Sequence, residues 1–213
     1  MSISKNIPWI EEYLALTQPA PGVDQPSKYL SKSVVITGAS VTGKTTLFRC
    51  LVSHFALIPM PVHTTRELRG DEIRDVDAVF VSVDEFKERF SRGDYIQESL
   101  ESMYFSGAYY GCPKEWINFT RRGETNCFVC PTVVTARKIK ETLKDKIFWV
   151  HMTANNSVRQ ERLLRRNPEM SQEDFEARIK RGDVQVDITG NDLVMDTSYL
   201  SANEIFFKAI SNL

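Results

Sequence analysis

From Ser33 onward, short β-branched and aromatic runs alternate with stretches whose apolar residues recur at helical spacing. Runs near 33–37, 57–61, 126–130, 147–152 and 192–195 read as core strands, the first of them Ser33-Val34-Val35-Ile36-Thr37. Apolar positions three and four apart predict helices near 44–55, 133–143, 156–166, 172–182 and 202–210. Strands that alternate with helices predict an α/β fold, a parallel sheet flanked by helices on both faces. Two segments have the form of capping boxes. Ser82-x-x-Glu85 opens a helix carrying Phe86 and Phe90, and Ser201-x-x-Glu204 opens the last helix, with Ile205, Phe206 and Ile210.

The alternation breaks in two places. Residues 62–123 are rich in polar and aromatic clusters, with short strands predicted around Asp94–Gln97 and Met103–Ser106. Residues 1–30 differ again: Trp9–Leu16 fits one short amphipathic helix, and Pro19–Pro26 reads as a linker. The predicted organisation is an N-terminal appendage at 1–30 and one domain at 31–213. Its core comprises 31–61 and 124–213, and 62–123 forms an inserted lobe.

Composition narrows the function classes. A chain of 213 residues, 42% apolar and 26% charged, suits one globular α/β domain with an inserted piece. A net charge of −1 gives no bulk reason for nucleic-acid or membrane binding. No apolar run approaches the ~18 residues of a membrane span, and the polar N-terminus does not resemble a signal peptide, so a cytoplasmic location is expected. Four cysteines are too few for a disulfide framework at this length. Cys127 and Cys130 have C-x-x-C spacing but fall in a predicted strand, where residues three apart face opposite sides, and no second ligand pair lies nearby.

The chemistry starts at Gly38-Ala39-Ser40-Val41-Thr42-Gly43-Lys44-Thr45, which has the form G-x-x-x-x-G-K-[ST] between a strand and a helix. Such a loop curls so that successive N–H groups point inward, and the helix N-terminus adds partial positive charge. Gly38 through Thr46 are therefore the expected ATP-binding residues. Lys44 would reach the β- and γ-phosphates, and the Thr45 hydroxyl would ligate Mg²⁺. An insertion that follows such a loop is a natural lobe for a second substrate. In it, Arg66 and Arg69 lie three apart within His63-Thr64-Thr65-Arg66-Glu67-Leu68-Arg69-Gly70-Asp71-Glu72, a spacing that lets two forked side chains grip one phosphate. Tyr110, within Ser106-Gly107-Ala108-Tyr109-Tyr110-Gly111, could offer its hydroxyl to the same group, although either segment alone also fits a solvated loop. Six arginines, at 159, 162, 165, 166, 178 and 181, flank a polar stretch from Asn167 to Asp174. A lid bearing arginines suits γ-phosphoryl transfer, where charge spreads over the equatorial oxygens. Arg159, Arg165 and Arg181 read instead as solvated helix positions.

Taken together, GASVTGKTT, HTTRELRGDE, VFVSVDEF, SGAYYG and ERLLRR…EARIKR resemble the guanylate kinase family, from about Ser33 to the C-terminus. The resemblance implies a P-loop nucleoside-monophosphate-kinase fold with an acceptor lobe at about 62–123 and a lid at about 159–181. It implies transfer of the ATP γ-phosphate, with Mg²⁺, to a small phosphorylated acceptor. By the same resemblance, Arg66, Arg69 and Tyr110 would hold the acceptor phosphate, and Lys44, Arg162, Arg166 and Arg178 would act on the transferring group. His63 occupies a motif position with no proton-transfer role and reads as structural.

The departures from the family pattern are concentrated at the guanine edge. Gln97 stands where the family usually has a glutamate, Cys130-Pro131-Thr132 where it has Asp-x-Asp, and Cys112 where a serine helps bind the base. Val62 replaces a serine, and Ala78 a phosphate-binding tyrosine. The segment between Gln97 and Ser106 is about four residues longer than the family pattern. Asp196-Thr197-Ser198 stands where the family has Asn-Asp, either beside the adenine or as a plain helix-entry turn. Guanine offers donors on its N1–H and 2-amino edge, so its site needs acceptors. GMP is therefore expected to be a poor acceptor. Gln97 and Glu72 are carried as acceptor-site residues, with Asp71 or Glu72 as a carboxylate for a metal-bound water. The readings left open are a kinase for another nucleotide, a ribose 1,5-bisphosphate-type phosphosugar kinase, an ordinary guanylate kinase, and a non-catalytic protein-binding domain.

Overall fold

The computed structural model describes residues 30–55, 57–69, 72–105, 107–183 and 187–213, without the side chains of 181–183. The helix expected at 9–16, the linker at 19–26, Asp71, Ser106 and the Arg181 side chain lie outside the described residues.

Along the chain run β1 (Ser33–Gly38), α1 (Lys44–Phe55), β2 (Ile58–Pro59), β3 (Val62–Thr64), β4 (Ala78–Phe80) and α2 (Val83–Ser91). There follow α3 (Leu100–Met103), β5 (Tyr104–Phe105), β6 (Ala108–Gly111), α4 (Glu115–Arg121), β7 (Asn126–Val129) and α5 (Val133–Leu143). The chain closes with β8 (Ile147–Thr153), α6 (Asn156–Arg166), α7 (Gln172–Asp183), β9 (Leu193–Asp196) and α8 (Ala202–Ile210).

The core sheet has the order β2-β7-β1-β8-β9, with every neighbouring pair parallel. Parallel strands covered on both faces explain why the core runs are continuously apolar rather than alternating. On one face Val34, Ile36, Phe148, Val150 and Met152 pack against Leu47 and Leu51 of α1 and Phe206 of α8. On the other, Val35, Phe128, Ile147 and Trp149 meet Ala136 and Ile139 of α5. Cys127 belongs to the first cluster and Cys130 to the second, so the C-x-x-C pair does face opposite sides.

The inserted lobe is a mixed sheet ordered β4-β3-β6-β5, with a small buried cluster of Phe86, Tyr95 and Met103. Full burial of a large apolar side chain contributes about 1.5–3 kcal/mol. The lobe's small core therefore depends on the main sheet for support. One tie is the buried ion pair between Arg49 of α1 and Asp77 at the start of β4; Asp77 also accepts the Ile73 backbone N–H at 2.8 Å.

Three local expectations are corrected. Asp94–Gln97 is not a strand and makes one isolated bridge, Tyr95 with Pro113. The chain turns there to insert Tyr95 into the lobe core, where its ring stacks on Phe86 at 4.7 Å. A Cβ at Gly111 would lie 2.6 Å from that ring, so the strand opposite must carry glycine. Met103 closes the short helix α3, and the strand is Tyr104–Phe105. Ser82 caps α2 by accepting the Glu85 N–H, but the Glu85 carboxylate binds Arg89 instead of completing the box. Ser201 and Glu204 form the complete capping box.

Candidate active site

The loop between β1 and α1 is held from behind. Lys44 Nζ donates to the Gly38 and Ala39 carbonyls at 2.9 and 2.6 Å. Arg159 Nε reaches the Ser40 carbonyl at 3.5 Å, Arg162 Nη1 that of Val41 at 3.4 Å, and the Thr197 hydroxyl that of Thr42 at 2.9 Å. Five successive carbonyls thus accept side-chain donors. The backbone conformation demands this support. Gly38 has φ +146°, and a Cβ there would lie 2.2 Å from the Met152 carbonyl oxygen. Val41, a β-branched residue, sits at φ +59°, a conformation that costs about 1–3 kcal/mol and persists only where its surroundings enforce it.

Lys44 is folded onto its own loop, and burial lowers its pKa to about 8, with Arg166, Arg159 and Arg69 adding repulsion. An anionic phosphate arriving here would relieve that repulsion. Gly38, Ala39, Ser40, Val41, Gly43, Lys44, Thr45 and Thr46 line a cleft of about 1730 Å³, while Thr42 is buried and bonds the Ala39 carbonyl. That volume exceeds the ~300–1,000 Å³ of a single small-ligand pocket and suits two substrates.

Across the cleft lie Arg66, Arg69, Glu72 and Tyr110. Arg66 makes a two-pronged pair with Glu72, both contacts at 2.6 Å. Glu72 also accepts the Arg69 backbone N–H at 3.1 Å. Burial pushes the Glu72 carboxyl up, but Arg66 and Arg69 outweigh it and hold the group below its usual range. Arg69 is looser, 3.8 Å from Glu72, and burial with the charges of Arg66 and Arg178 lowers its pKa to about 10. Tyr110 stacks on Phe105 at 4.3 Å, which fixes its ring.

Glu72 is thus a partner of the arginines. Among the described residues, no group of three or more His, Cys, Asp or Glu side chains is placed to hold a metal ion. Mg²⁺ commonly takes one or two protein ligands and fills its shell with phosphate oxygens and water. The Thr45 hydroxyl at the start of α1 fits a metal that arrives with ATP.

The segment expected to act as a lid, about 159–181, falls in α6 and α7. Arg162 is anchored to Thr197, with Nη2 2.7 Å from its carbonyl and Nη1 3.2 Å from its hydroxyl. Arg166 and Arg178 line the cleft. Arg166 acts electrostatically on Lys44 and Arg178 on Arg69, so the lid charges bear on both halves of the site. Thr197 is fully buried, and its hydroxyl braces the loop at the Thr42 carbonyl.

Arg159 requires a correction. It is 1% exposed, not solvated, whereas Arg165 is exposed as expected. The signal was its place four residues before the buried Leu163, on the inward face of α6. His151 was also missed. It lines the cleft, and its Nδ1 lies 2.9 Å from the Thr37 hydroxyl, which takes the Trp149 indole N–H at 2.8 Å. The Thr37 hydroxyl thus links the Trp149 indole to the His151 ring. Burial, with Lys44 nearby, lowers its pKa and favours the neutral form. In β8 it is simply two residues beyond Trp149, and nothing local distinguishes it from a core histidine.

Three of the guanine-edge substitutions, Gln97, Cys112 and Cys130, contact one another in turn. The Sγ atoms of Cys112 and Cys130 are 4.0 Å apart, and both residues are buried. Burial pushes the Cys112 thiol well up, Cys130 reinforcing the effect. Gln97 does not line the cleft: its Oε1 accepts the Cys112 N–H at 3.0 Å and its Nε2 lies 3.4 Å from the Tyr110 carbonyl. Thr132 caps α5, accepting the Thr135 N–H at 3.2 Å. His63 meets the Tyr95 hydroxyl at 3.1 Å, and burial, aided by Arg89, lowers its pKa to about 4, consistent with a structural neutral ring.

Comparison with known proteins agrees with this geometry. The sequence profile described as Guanylate kinase matches residues 30–203. The guanylate kinase of Chlamydia trachomatis serovar D is 31% identical over 148 residues, covering 68% of each chain. That of Thermosynechococcus vestitus is 42% identical over 83 residues, 38% of this chain and 41% of the relative. Among solved structures, the guanylate kinase of Anaplasma phagocytophilum superposes with a TM-score of 0.58 at 18% identity, over 87% of this chain and 86% of that one. A gluconokinase from Sinorhizobium meliloti shares the fold at a TM-score of 0.50 and 16% identity, over 86% and 92% of the two chains. A G-x-x-x-x-G-K-T loop facing paired arginines across one cleft, together with these matches, makes the chain a kinase and a member of the guanylate kinase family.

Proposed function

We propose that this kinase transfers the γ-phosphate of Mg-ATP to a phosphate monoester other than GMP. Phosphoryl transfer needs positioning and charge stabilisation more than covalent chemistry from the protein. The phosphate loop and Lys44 would hold the β- and γ-phosphates, and Thr45 the Mg²⁺ that neutralises them. Arg69, Arg66 and Tyr110 would hold the acceptor's phosphate opposite. Arg166 and Arg178 would stabilise charge on the transferring group, with Arg162 fixing α6 to the loop it covers.

The observation that carries the choice of acceptor is the engagement of the guanine-edge positions. Gln97 bonds the backbone of β6 and its exit, Thr132 caps a helix, and Cys112 and Cys130 contact each other. None of these offers the carboxylate that a guanine N1–H and amino group would require. Sites that match a hydrogen-bonding group discriminate by about 10⁴–10⁵ against ligands that leave it unpaired. A pyrimidine or modified nucleoside monophosphate, or a bisphosphorylated pentose, fits the same phosphate grip without that edge.

The test is ADP release from Mg-ATP against GMP, dGMP, the other ribo- and deoxynucleoside monophosphates and ribose 1,5-bisphosphate. Turnover with another acceptor at least 100-fold above GMP is the expected result. GMP as the best acceptor would overturn the proposal and leave an ordinary guanylate kinase, the activity named for the chain's relatives.

A further inference from the structure

The Arg159 guanidinium joins three parts of the molecule. Its Nη1 donates to Asn156 Oδ1 at 2.8 Å in the first turn of α6. Its Nη2 lies 3.2 Å from the Arg178 carbonyl and 3.1 Å from that of Ile179, both in α7. Its Nε faces the Ser40 carbonyl of the phosphate loop at 3.5 Å. At 1% exposure, this charge is tolerable only because hydrogen bonds surround it, and those bonds fix the geometry of everything that accepts them. An apolar side chain would fill the same space and hold none of the three carbonyls.

The consequence falls on Arg178. Its backbone is what Arg159 grips, while its side chain lines the cleft and acts on Arg69 across it. The α6–α7 connection, residues 167–171, is largely polar, and the two helices also bury Leu163 and Ile179. We propose that Arg159 is a positioning residue, a strut that sets the backbone of Arg178 against Ser40, so that lid and phosphate loop meet the triphosphate as one unit. This rests on the reading of Arg178 as a lid arginine that engages ATP.

Two measurements test it, and neither needs the acceptor. The first is amide hydrogen exchange of the ligand-free protein, which reports local opening. Arg159→Met is expected to speed exchange in α7 at least tenfold while β1 and β8 keep their protection. Unchanged exchange in α7, or equal acceleration throughout the sheet, would overturn the strut. The second is the Kd of a non-hydrolysable ATP analogue with Mg²⁺ in a double-mutant cycle. Arg159→Met is expected to weaken binding about tenfold in the wild type and less than threefold in Arg178→Ala. Equal losses in both backgrounds would show that Arg159 does not act through Arg178. An Arg178→Ala variant with wild-type affinity would remove the role of Arg178 and the functional half of the proposal, and the exchange result would stand apart from that failure. If Arg159→Met does not fold, Arg159→Lys carries both readouts, because it keeps the charge and loses the forked geometry.

Discussion

The two ends of the cleft have been treated differently. At the phosphate end, cations crowd together, Lys44, Arg66, Arg69, Arg166 and Arg178 among them, and this repulsion adds to burial in lowering the pKa of Lys44 and of Arg69. At the positions expected to read a base, the residues form a sulfur contact, a helix cap and a backbone clasp, and of these only Cys130 and Thr132 line the cleft. The crowding at the phosphate end disfavours the charged form of Lys44 in the ligand-free protein even with Glu72 paired to Arg66, and a bound polyphosphate offsets that cost. The base end carries no such stored repulsion. The difference teaches that phosphate handling and acceptor recognition are physically separable in this fold.

The comparison breaks most directly at Lys44. Lys44→Ala should lower kcat about 100- to 1,000-fold, the usual effect of removing one donor from developing charge. Steady-state kinetics with saturating acceptor checks it, and normal turnover would sink the assignment of the phosphate loop.

Next comes the opposite wall. Arg69→Ala should raise the acceptor KM at least tenfold and leave the KM for ATP within about twofold, since a charge-assisted bond contributes about 1.5–3 kcal/mol. Arg66→Ala should add a fall in stability of about 3–5 kcal/mol, because Glu72, only 8% exposed, would lose its paired charge. Urea unfolding separates the two arginines: equal stabilities would mean that the Arg66–Glu72 pair is unimportant to the fold.

A smaller effect concerns protons. The folded pKa of Lys44, about 8, lies below its ordinary 10.5, so the ligand-free fold binds fewer protons than the unfolded chain between these values. Its stability should therefore gain from this group as pH rises across that window, the penalty being fully present below pH 8. ATP binding restores the charge and should take up about half a proton at pH 8. Calorimetry in buffers of different ionisation enthalpy reads that uptake, and Lys44→Met should abolish it.

The smallest change is expected at the base end. Cys130→Ser should leave the KM of the true acceptor within about threefold and lower stability by about 1–3 kcal/mol, the cost of a poorly paired buried hydroxyl. A large loss of acceptor affinity would give the sulfur pair a recognition role.

Sequence alone determined the parts whose causes are local. Gly38 and Gly43 mark a loop that needs positive φ, apolar periodicity sets the core strands and long helices, and Ser201 with Glu204 fixes a helix start. Those signals lie within a few residues of their effects, so the core elements and the glycine-bearing loop between β1 and α1 were legible. The lobe was less so, because short strands such as Tyr104–Phe105 are shaped by what packs on them, and Tyr95 leaves its predicted strand to fill the core beside Gly111. Only the tertiary structure decided which distant residues meet. Cys112 finds Cys130, Trp149 and Thr37 orient His151, and Arg159 closes on Ser40 and α7. Each such contact spans parts of the chain whose approach is set by the order of strands in the sheet and the burial of its two faces. An arginine's hydrogen bonds depend on that approach, and its neighbours in sequence do not record it.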